Sequence, residues 1–297
     1  MLKIGCCGYP VNTRKYQETF NVVELNITFY RYPKSQTVRK WRETSPICFE
    51  FTVKAHQDIT HKYKMNLELT RESLNAVKEI CNILDAKVLL FQTPAAFKPD
   101  RIGEAAKFFE HADRDDLIFV WEPRGPLWQK PEVRQKLKTT LEKLDVSHVT
   151  DPFLSMPVYT GKVAYFRLHG HGERMYYYQY SNSELRNLHD KIKLLETDDK
   201  QVYVFFNNIT MFEDAQRFSS FVDSGVFPKP EICSKEALEK ILRKIRYPTT
   251  KNELISRIGW KLIEIENQKQ IKMANLFRHL ERNKYDNPID IINELGL

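Results

Sequence analysis

The sequence predicts an α/β protein, namely an irregular (β/α)8 TIM-like barrel followed by a small all-α C-terminal region. Three observations lead to this prediction. Short apolar segments alternate with helical patterns over the first two-thirds of the chain. Eight of these segments end at polar, charged or glycine residues, and Pro228 and Pro230 then interrupt the pattern before a stretch of purely helical periodicity. Alternating strands and helices favour a parallel sheet, and eight strands within roughly 230 residues suit one barrel.

The order of the elements follows the apolar periodicity. Strands are predicted over residues 2–7, 22–28, 49–55, 87–92, 117–122, 146–150, 162–168 and 202–207. Helices are predicted over residues 12–19, 35–44, 70–84, 100–111, 131–144, 182–195 and 211–223. The segments VLLF (88–91) and VYVFF (202–206) are apolar on both faces, as expected for strands buried in a parallel barrel. No helix is predicted between the sixth and seventh strands, which would make the barrel irregular.

Two domains are predicted, a barrel over residues 1–228 and a helical region over residues 229–297, divided within the segment GVFPKPE. The helical region contains SKEALEKILRKI, TTKNELISRI, a stretch from Gln268 to Arg282, and PIDIINEL. Thr250 and Glu253 have the spacing of a capping box. The region is interpreted as a helical cap or dimerisation element, or alternatively as a nucleic-acid-binding module of helix-turn-helix type.

The composition indicates a folded protein of the cytoplasm. Hydrophobic residues make up 42% of the chain, which includes 18 Phe and 14 Tyr. No apolar run approaches the roughly 18 residues that a membrane helix needs, and the first residues have a strand-like pattern. The five cysteines form no CxxC pair, so reduced thiols are expected. Nothing in the sequence indicates an oligomeric state.

The charge of the chain favours an anionic partner. The net charge is +7 and the isoelectric point is near 9.0, which suits nucleic acid or a phosphorylated molecule. From Lys229 onward there are 14 Lys and Arg residues against 10 Asp and Glu residues, so the C-terminal region carries more than half of the excess.

Polar side chains are paired where four of the predicted strands end. The pairs, each spaced by two residues, are Glu24 with Asn26, Lys54 with His56, Glu122 with Arg124, and Arg167 with His169. Side chains alternate across a strand, so the members of each pair lie on one face. Barrels of this class assemble their active sites at the carboxyl ends of the strands. The pairs therefore predict a polar site there.

Roles follow from residue chemistry. Candidate catalytic residues are Glu24, Glu122, Lys54 and His169. Candidate substrate-binding residues are Asn26, Tyr30, Gln92, Arg124, Arg167, Tyr180, Asn207 and Asn208. The two carboxylates suit proton transfer, the cations suit a phosphate or carboxylate, and the tyrosines suit a base or sugar ring. A structural network of inward ion pairs would have the same sequence pattern.

A divalent metal, Mg²⁺, Mn²⁺ or Zn²⁺, is a further possibility at the strand ends. Glu122, His169 and Asp151 are the candidate ligands, since carboxylate and imidazole groups bind these ions. The loop after the third strand, which contains His56, His61 and several lysines, adds further polar groups.

The chain resembles the YecE-like proteins, the domain of unknown function seventy-two. The matching segments are IGCCGYP (4–10), FNVVELNITFYRYP (20–33), FEFTVKAHQDITH (49–61), LLFQTPAAF (89–97), VWEPRGPLW (120–128), AYFRLHG (164–170) and VYVFFNN (202–208). The resemblance implies an irregular (β/α)8 barrel over nearly all of residues 1–228. Cys7 and Tyr9 depart from the family's usual Ser and Trp, and the C-terminal region lies outside the common core.

Three functions are compatible with these features. The leading hypothesis is an enzyme acting on a phosphate-bearing substrate, most concretely a metal-dependent nuclease or nucleic-acid repair phosphodiesterase. The first alternative is a lyase, isomerase or hydrolase acting on a small sugar-like molecule. The second alternative is a non-catalytic module that binds nucleotide or RNA. A Walker sequence, a GxGxxG turn after a strand and a GxSxG elbow are absent, which disfavours ATP-driven, Rossmann-cofactor and serine-hydrolase chemistry.

Overall fold

The computed structural model describes residues 1–172, 174–197, 199–228, 235–265 and 269–296. The chain forms two compact units. The first comprises Met1–Leu168 with Asp190–Asn207, and the second comprises His169–His189 with Asn208–Leu297. The predicted domain boundary between residues 228 and 229 borders residues 229–234, which lie outside the described residues, so that boundary stays a prediction.

The first unit contains the predicted barrel. Its eight parallel strands, counted over the described residues, are β1 (Leu2–Cys6), β2 (Val22–Leu25), β3 (Glu50–Lys54), β4 (Val88–Thr93), β5 (Ile118–Pro123), β6 (Ser147–His148), β7 (Val163–Leu168) and β8 (Gln201–Phe206). Strands β2 to β6 pair in chain order, and β8 pairs with both β1 and β7. Single parallel bridges, Cys7 to Glu24 and Thr150 to Phe166, join the two sheets. The barrel fold is therefore confirmed.

Helices follow the strands, mostly where the apolar periodicity predicts them. They are α1 (Thr13–Gln17), α2 (Ile27–Tyr30), α3 (Ser35–Glu43), α4 (Leu67–Leu84), α5 (Ile102–His111), α6 (Pro131–Leu144), α7 (Asn182–Lys193) and α8 (Met211–Ser224). Residues 149–162, all of which the structure describes, contain no helix, as predicted.

Two short elements differ from the prediction. Helix α2 replaces the end of the strand predicted to reach residue 28, because the Thr28 hydroxyl donates to the carbonyls of Leu25 and Lys54 at 3.0 and 2.7 Å and turns the chain. A π-helical turn over Asp58–Lys62 follows β3 within the predicted loop. Both elements are too short to show a helical period in the sequence.

The barrel interior is apolar toward the amino ends of the strands and polar at their carboxyl ends. Its apolar side chains come from seven strands and the residues beside them: Cys7, Val22, Val88, Leu90, Val120, Val149, Val163, Tyr165, Tyr203 and Phe205. Glu24, Glu122 and Arg167 lie on the same strand faces as these apolar residues. Each comes two positions after one of them, namely after Val22, Val120 and Tyr165 respectively. The alternation of each strand thus carries polar groups to one end of the barrel.

The C-terminal part of the second unit is helical but not all-α. It contains α9 (Lys235–Leu242), β9 (Thr249–Thr250), α10 (Lys251–Ile258), β10 (Leu262–Ile265), β11 (Lys269–Lys272), α11 (Met273–Phe277), β12 (Lys284–Tyr285) and α12 (Pro288–Glu294). The predicted capping box of Thr250 and Glu253 is confirmed. The antiparallel pairs β10–β11 and β9–β12 correct the all-α prediction.

The sequence explains why these strands were missed. They are two to four residues long, so the alternation that marks a strand has hardly begun before it ends. The helix predicted from Gln268 to Arg282 is replaced by β11 and α11, while Gln268 itself lies outside the described residues. Within the part of the chain that the structure describes, no helix is long and apolar enough to cross a bilayer.

Candidate active site at the strand ends

Arg167 is the centre of the polar site. Its side chain projects from the end of β7 into the barrel and is 1% exposed. It binds Glu24 of β2 bidentately, with Nε 2.9 Å from Oε2 and Nη2 2.9 Å from Oε1, and its Nη1 donates to Glu122 Oε2. A buried guanidinium is stable only with such partners, since taking an unpaired charge out of water is costly. Arg167 thus ties β2, β5 and β7 together.

Glu24 is fully engaged by hydrogen-bond donors. Besides the two bonds from Arg167, Oε2 accepts from the Tyr165 hydroxyl at 2.8 Å and Oε1 accepts from Asn26 Nδ2 at 2.9 Å. Thr52 Oγ1 lies 2.9 Å from the same tyrosine hydroxyl. Burial alone would raise the pKa of Glu24, but the facing guanidinium and its other donors lower it below the ordinary value. Glu24 is therefore an ionised anchor rather than a proton carrier.

Glu122 lies between two guanidinium groups. Its Oε2 accepts from Arg167, and its Oε1 accepts from Arg124 Nε at 2.8 Å. The Arg124 side chain is 24% exposed, so it is the partly solvent-accessible partner of this carboxylate. A carboxylate held by two arginines is a weak base, because protonation would break charge-assisted hydrogen bonds.

Lys54 is a buried lysine beside the ion pairs. Its ammonium donates to Gln92 Oε1 at 2.9 Å and lies 3.9 Å from the centre of the Phe29 ring. Burial, followed by the positive charge of Arg167, lowers the pKa of Lys54 to about 8, although Glu24 and Glu122 oppose the shift. An amine with such a pKa exists in both protonation states near neutral pH.

The site has an excess of positive charge when all its groups are ionised. Three cations, Lys54, Arg124 and Arg167, face two carboxylates, Glu24 and Glu122. An anionic group bound beside Arg124 would balance this excess. The strand-end charges therefore form the ion-pair network that the sequence allows, and a functional role for the same residues stays a prediction.

Other predicted residues of the first unit lie around this cluster or apart from it. Asn26 and Gln92 hold Glu24 and Lys54, as described above. Tyr30 is 68% exposed and its ring packs on Phe29 at 4.9 Å. Asn207 donates its backbone N–H to Leu168 O at 2.8 Å at the end of β8. Asp151 is buried, and its Oδ1 accepts from Phe153 N at 3.0 Å.

Three predicted residues belong to the second unit. Tyr180, a predicted substrate-binding residue, is fully buried, and its hydroxyl accepts from Gly170 N at 2.7 Å. Asn208 is also buried and donates to Tyr178 O at 2.8 Å and Asp214 Oδ2 at 2.7 Å. The His169 ring lies 5.8 Å from that of Tyr176.

The predicted metal site finds no support in the arrangement of ligands. Among the described residues, no three His, Cys, Asp or Glu side chains come together as a set that could hold a metal ion. Glu122, the first of the proposed ligands, instead pairs with two arginines, whose charges compete with a cation for its oxygens.

Sequence reasoning missed three residues of the site. Tyr165 and Thr52 precede Arg167 and Lys54 by two positions on the same strand faces, so the period-two pattern would have identified them. Phe29 was missed because α2 turns its ring toward Lys54, and no sequence signal marks that short helix.

Several known proteins are similar to this chain. The protein YunF of Bacillus subtilis (strain 168) is 23% identical over 251 residues, which cover 70% of this chain and 89% of YunF. The protein YecE of Escherichia coli (strain K12) is 28% identical over 138 residues, which cover 46% of this chain and 50% of YecE.

Solved structures show the same fold. The crystal structure of a DUF72 family protein from Enterococcus faecalis V583 superposes with a TM-score of 0.64 at 21% identity and covers 75% of this chain and 98% of its own. A D-tagatose 3-epimerase-like protein superposes with a TM-score of 0.51 at 14% identity, covering 74% of this chain and 96% of its own. The sequence profile described as "Protein of unknown function DUF72" matches residues 10–230. The chain therefore belongs to the DUF72 family.

Proposed function

We propose that this protein is an enzyme that moves protons on a small sugar-like substrate bearing a phosphate or carboxylate group, as a lyase or isomerase does. Lys54 is the acid–base group of this reaction. The observation that carries the proposal is the buried ammonium of Lys54, held by Gln92 and Phe29 at the carboxyl ends of the strands, with a pKa lowered to about 8.

The chemistry follows from the state of each charged group. General acid–base catalysis works best when the pKa of the group lies near the operating pH. Lys54 meets this condition, whereas Glu24 and Glu122 are each engaged by guanidinium groups. Among these five charges, Lys54 is thus the group best suited to give up and regain a proton during turnover.

The anionic part of the substrate is inferred from the charge of the site. The strand ends hold three cations against two carboxylates, and the partly exposed Arg124 offers a guanidinium toward solvent. Arginine suits phosphate and carboxylate because its planar group matches both. The barrel similarity to a D-tagatose 3-epimerase-like protein concerns the fold, and only by analogy does it favour a sugar-like substrate.

Nucleic acid is a second candidate substrate, favoured by the net charge of +7. Metal-dependent cleavage of labelled single- or double-stranded DNA or RNA, lost in Glu122→Gln, would support this candidate. It has less support than proton transfer, because the described residues hold no group of metal ligands.

Solvent deuterium exchange tests the proposal without knowledge of the product. A panel of small sugar phosphates and sugar acids is incubated with the protein in D2O, and proton NMR follows the loss of the C–H signal next to the carbonyl group. We expect exchange with at least one compound, and a rate that is about 10²- to 10⁴-fold lower in Lys54→Met. The corresponding neutral sugars, which lack both phosphate and carboxylate, should exchange more slowly.

The matched control is Lys62→Met, which removes an exposed lysine eight residues further along the chain. It should exchange like the wild type, and circular dichroism should show that both variants fold. Exchange that survives in Lys54→Met, or its absence from every compound tested, would contradict the proposal.

A further inference from the structure

We propose that His61 is the second proton carrier of this site and acts as the base that removes a proton from the substrate carbon while Lys54 serves as the acid. The inference rests on the proposed function and extends it from one acid–base group to two. Reactions that move a proton between neighbouring atoms need a group that accepts and a group that donates.

His61 and Lys54 contact the same aromatic ring. The Lys54 ammonium lies 3.9 Å from the centre of the Phe29 ring, and the centre of the His61 ring lies 4.9 Å from it at an interplanar angle of 79°. The separation between the ammonium and the imidazole therefore cannot exceed the sum of these two distances. A small substrate placed beside Phe29 could contact both groups.

The local fold holds His61 in this place. It lies on the π-helical turn Asp58–Lys62 that follows β3, the strand that ends at Lys54. Such turns are rare and occur frequently at functional sites. The His61 Nδ1 lies 2.8 Å from the hydroxyl of Thr60, a buried residue. When Nδ1 donates its proton to that hydroxyl, Nε2 is the basic nitrogen.

The charges around His61 keep it neutral. Burial, and then the positive charges of Lys54 on β3 and Arg124 after β5, lower the pKa of His61 below its usual value. Asp58 and Lys62 are the charged residues of its own turn, and Phe29 and Tyr30 contribute uncharged rings from α2. A neutral imidazole beside an ammonium is the protonation state that the reaction requires.

The proton balance is complete within the site. Neutral His61 takes the proton from the carbon next to the substrate carbonyl, and the C–H electron pair forms the new carbon–carbon double bond. The carbonyl electrons move to oxygen, which takes a proton from the Lys54 ammonium. In the resulting enediol, neutral Lys54 takes the proton of one of the two hydroxyl groups, the carbonyl forms at that carbon, and protonated His61 gives its proton to the neighbouring carbon. The charge of the pair is unchanged and no oxidant is needed.

The placement is tested without turnover by NMR of the histidine ring carbons. In the wild type we expect His61 to titrate below the usual histidine pKa, and in Lys54→Met we expect that pKa to rise. The exposed His111 is the control, and its ring signals should not differ between the two proteins. A His61 pKa that is ordinary and does not respond to Lys54→Met would overturn the inference.

The catalytic role is tested by the same deuterium exchange. His61→Gln, and His61→Phe, which keeps a ring against Phe29, should lower the exchange rate at least tenfold and remove the loss of rate at acidic pH. His111→Gln is the control and should match the wild type. Exchange that depends on Lys54 but persists in both His61 variants would overturn this inference and leave the proposed function standing. No exchange by the wild type would overturn both.

Discussion

Arg167 shows how much of the site depends on a single side chain. It is buried, and its guanidinium is surrounded by the carboxylates of Glu24 and Glu122. Removal of one partner of a buried ion pair leaves the other charge unpaired, which costs more than the pair itself contributes. Arg167 therefore contributes both to the stability of the barrel and to the charge of the candidate site.

Arg167→Met should lower the free energy of unfolding by about 3–5 kcal/mol, because Glu24 would remain buried without its cation. Urea denaturation followed by circular dichroism measures the change. The double variant Glu24→Leu/Arg167→Met should recover part of the loss. Arg14→Met, which breaks an exposed pair with Glu18, should change stability by less than about 0.5 kcal/mol. An equally small change in Arg167→Met would contradict the account.

Lys54 makes the free energy of unfolding depend on pH, and the direction of this dependence follows from its pKa. The pKa of Lys54 is about 8 in the folded protein and lies at the ordinary value near 10.5 when the chain is unfolded. Between these values the unfolded chain binds more protons, so stability rises with pH across this window. The penalty for burying the charge is fully present below pH 8.

We therefore expect the wild type to gain stability relative to Lys54→Met between about pH 8 and pH 10.5. Urea midpoints measured for both proteins across this range give the difference directly. Other lysines cancel in the comparison, since both proteins contain them. Parallel pH profiles would show that Lys54 titrates alike in the folded and unfolded states.

At the residue scale the sequence identified most of the cluster but not its pairings. The period-two pattern correctly predicted that Glu24, Lys54, Glu122 and Arg167 lie at one end of the barrel. Which carboxylate pairs with which cation depends on the circular arrangement of strands, and that arrangement is not present in any local pattern. The sequence consequently did not reveal the four hydrogen bonds that Glu24 accepts, and its predicted catalytic role stays a prediction.

At the scale of the elements, the ends of helix α4 are set by local capping interactions. Helix α4 begins after Asn66, whose side chain accepts from Leu69 N at 3.1 Å, and it ends at Asp85, whose φ of 54° is left-handed. The N–H of Ala86 donates to Cys81 O at 2.8 Å across this cap. A non-glycine residue is strained in that conformation.

Asp85→Gly should raise the free energy of unfolding by up to about 1 kcal/mol, since glycine adopts a left-handed conformation without a steric penalty. The matched variant Asp85→Ala removes the same carboxylate but keeps the strain, and it should be no more stable than the wild type. Urea unfolding of the two variants separates the backbone effect from the loss of the exposed contact with Lys87. Equal stability of the two would contradict the explanation.

Long elements were predictable because their periods repeat. Helix α4 buries Leu74, Val77, Cys81 and Leu84 at spacings of three and four, and this pattern marks the helix in the sequence. Helix α2 and the turn that holds His61 span a single turn each and repeat nothing. The contact of Phe29 with Lys54, which depends on α2, therefore escaped prediction.

At the scale of the molecule, the compact units do not follow the order of the chain. The segment after β7 and helix α8 group with the C-terminal region. Within this second unit, Gln179 Oε1 accepts from Leu262 N at 2.9 Å, and Asn182 N donates to Gln270 Oε1 at 2.8 Å. Lys272 Nζ also donates to Gln179 O. No local signal in the sequence reports such distant contacts.

A chain that ends at residue 228 should therefore lose protection from hydrogen exchange in residues 176–189, because it lacks Leu262, Gln270 and Lys272. Strands β2 to β5 of the first unit should keep their protection. Hydrogen–deuterium exchange with peptide mass spectrometry compares the two chains. Unchanged protection of residues 176–189 would show that these contacts contribute little to the order of the segment.

The most direct test of the central claim is the titration of Lys54. The protein is labelled with ¹⁵N-lysine, the Lys54 resonance is assigned by its loss in Lys54→Met, and its chemical shift is followed against pH. We expect a pKa near 8 for Lys54, whereas Lys62, whose pKa is raised by its contact with Tyr63, should titrate at a much higher pH in the same spectra. A Lys54 pKa close to 10.5 would contradict the claim that the strand ends hold a proton-transfer site.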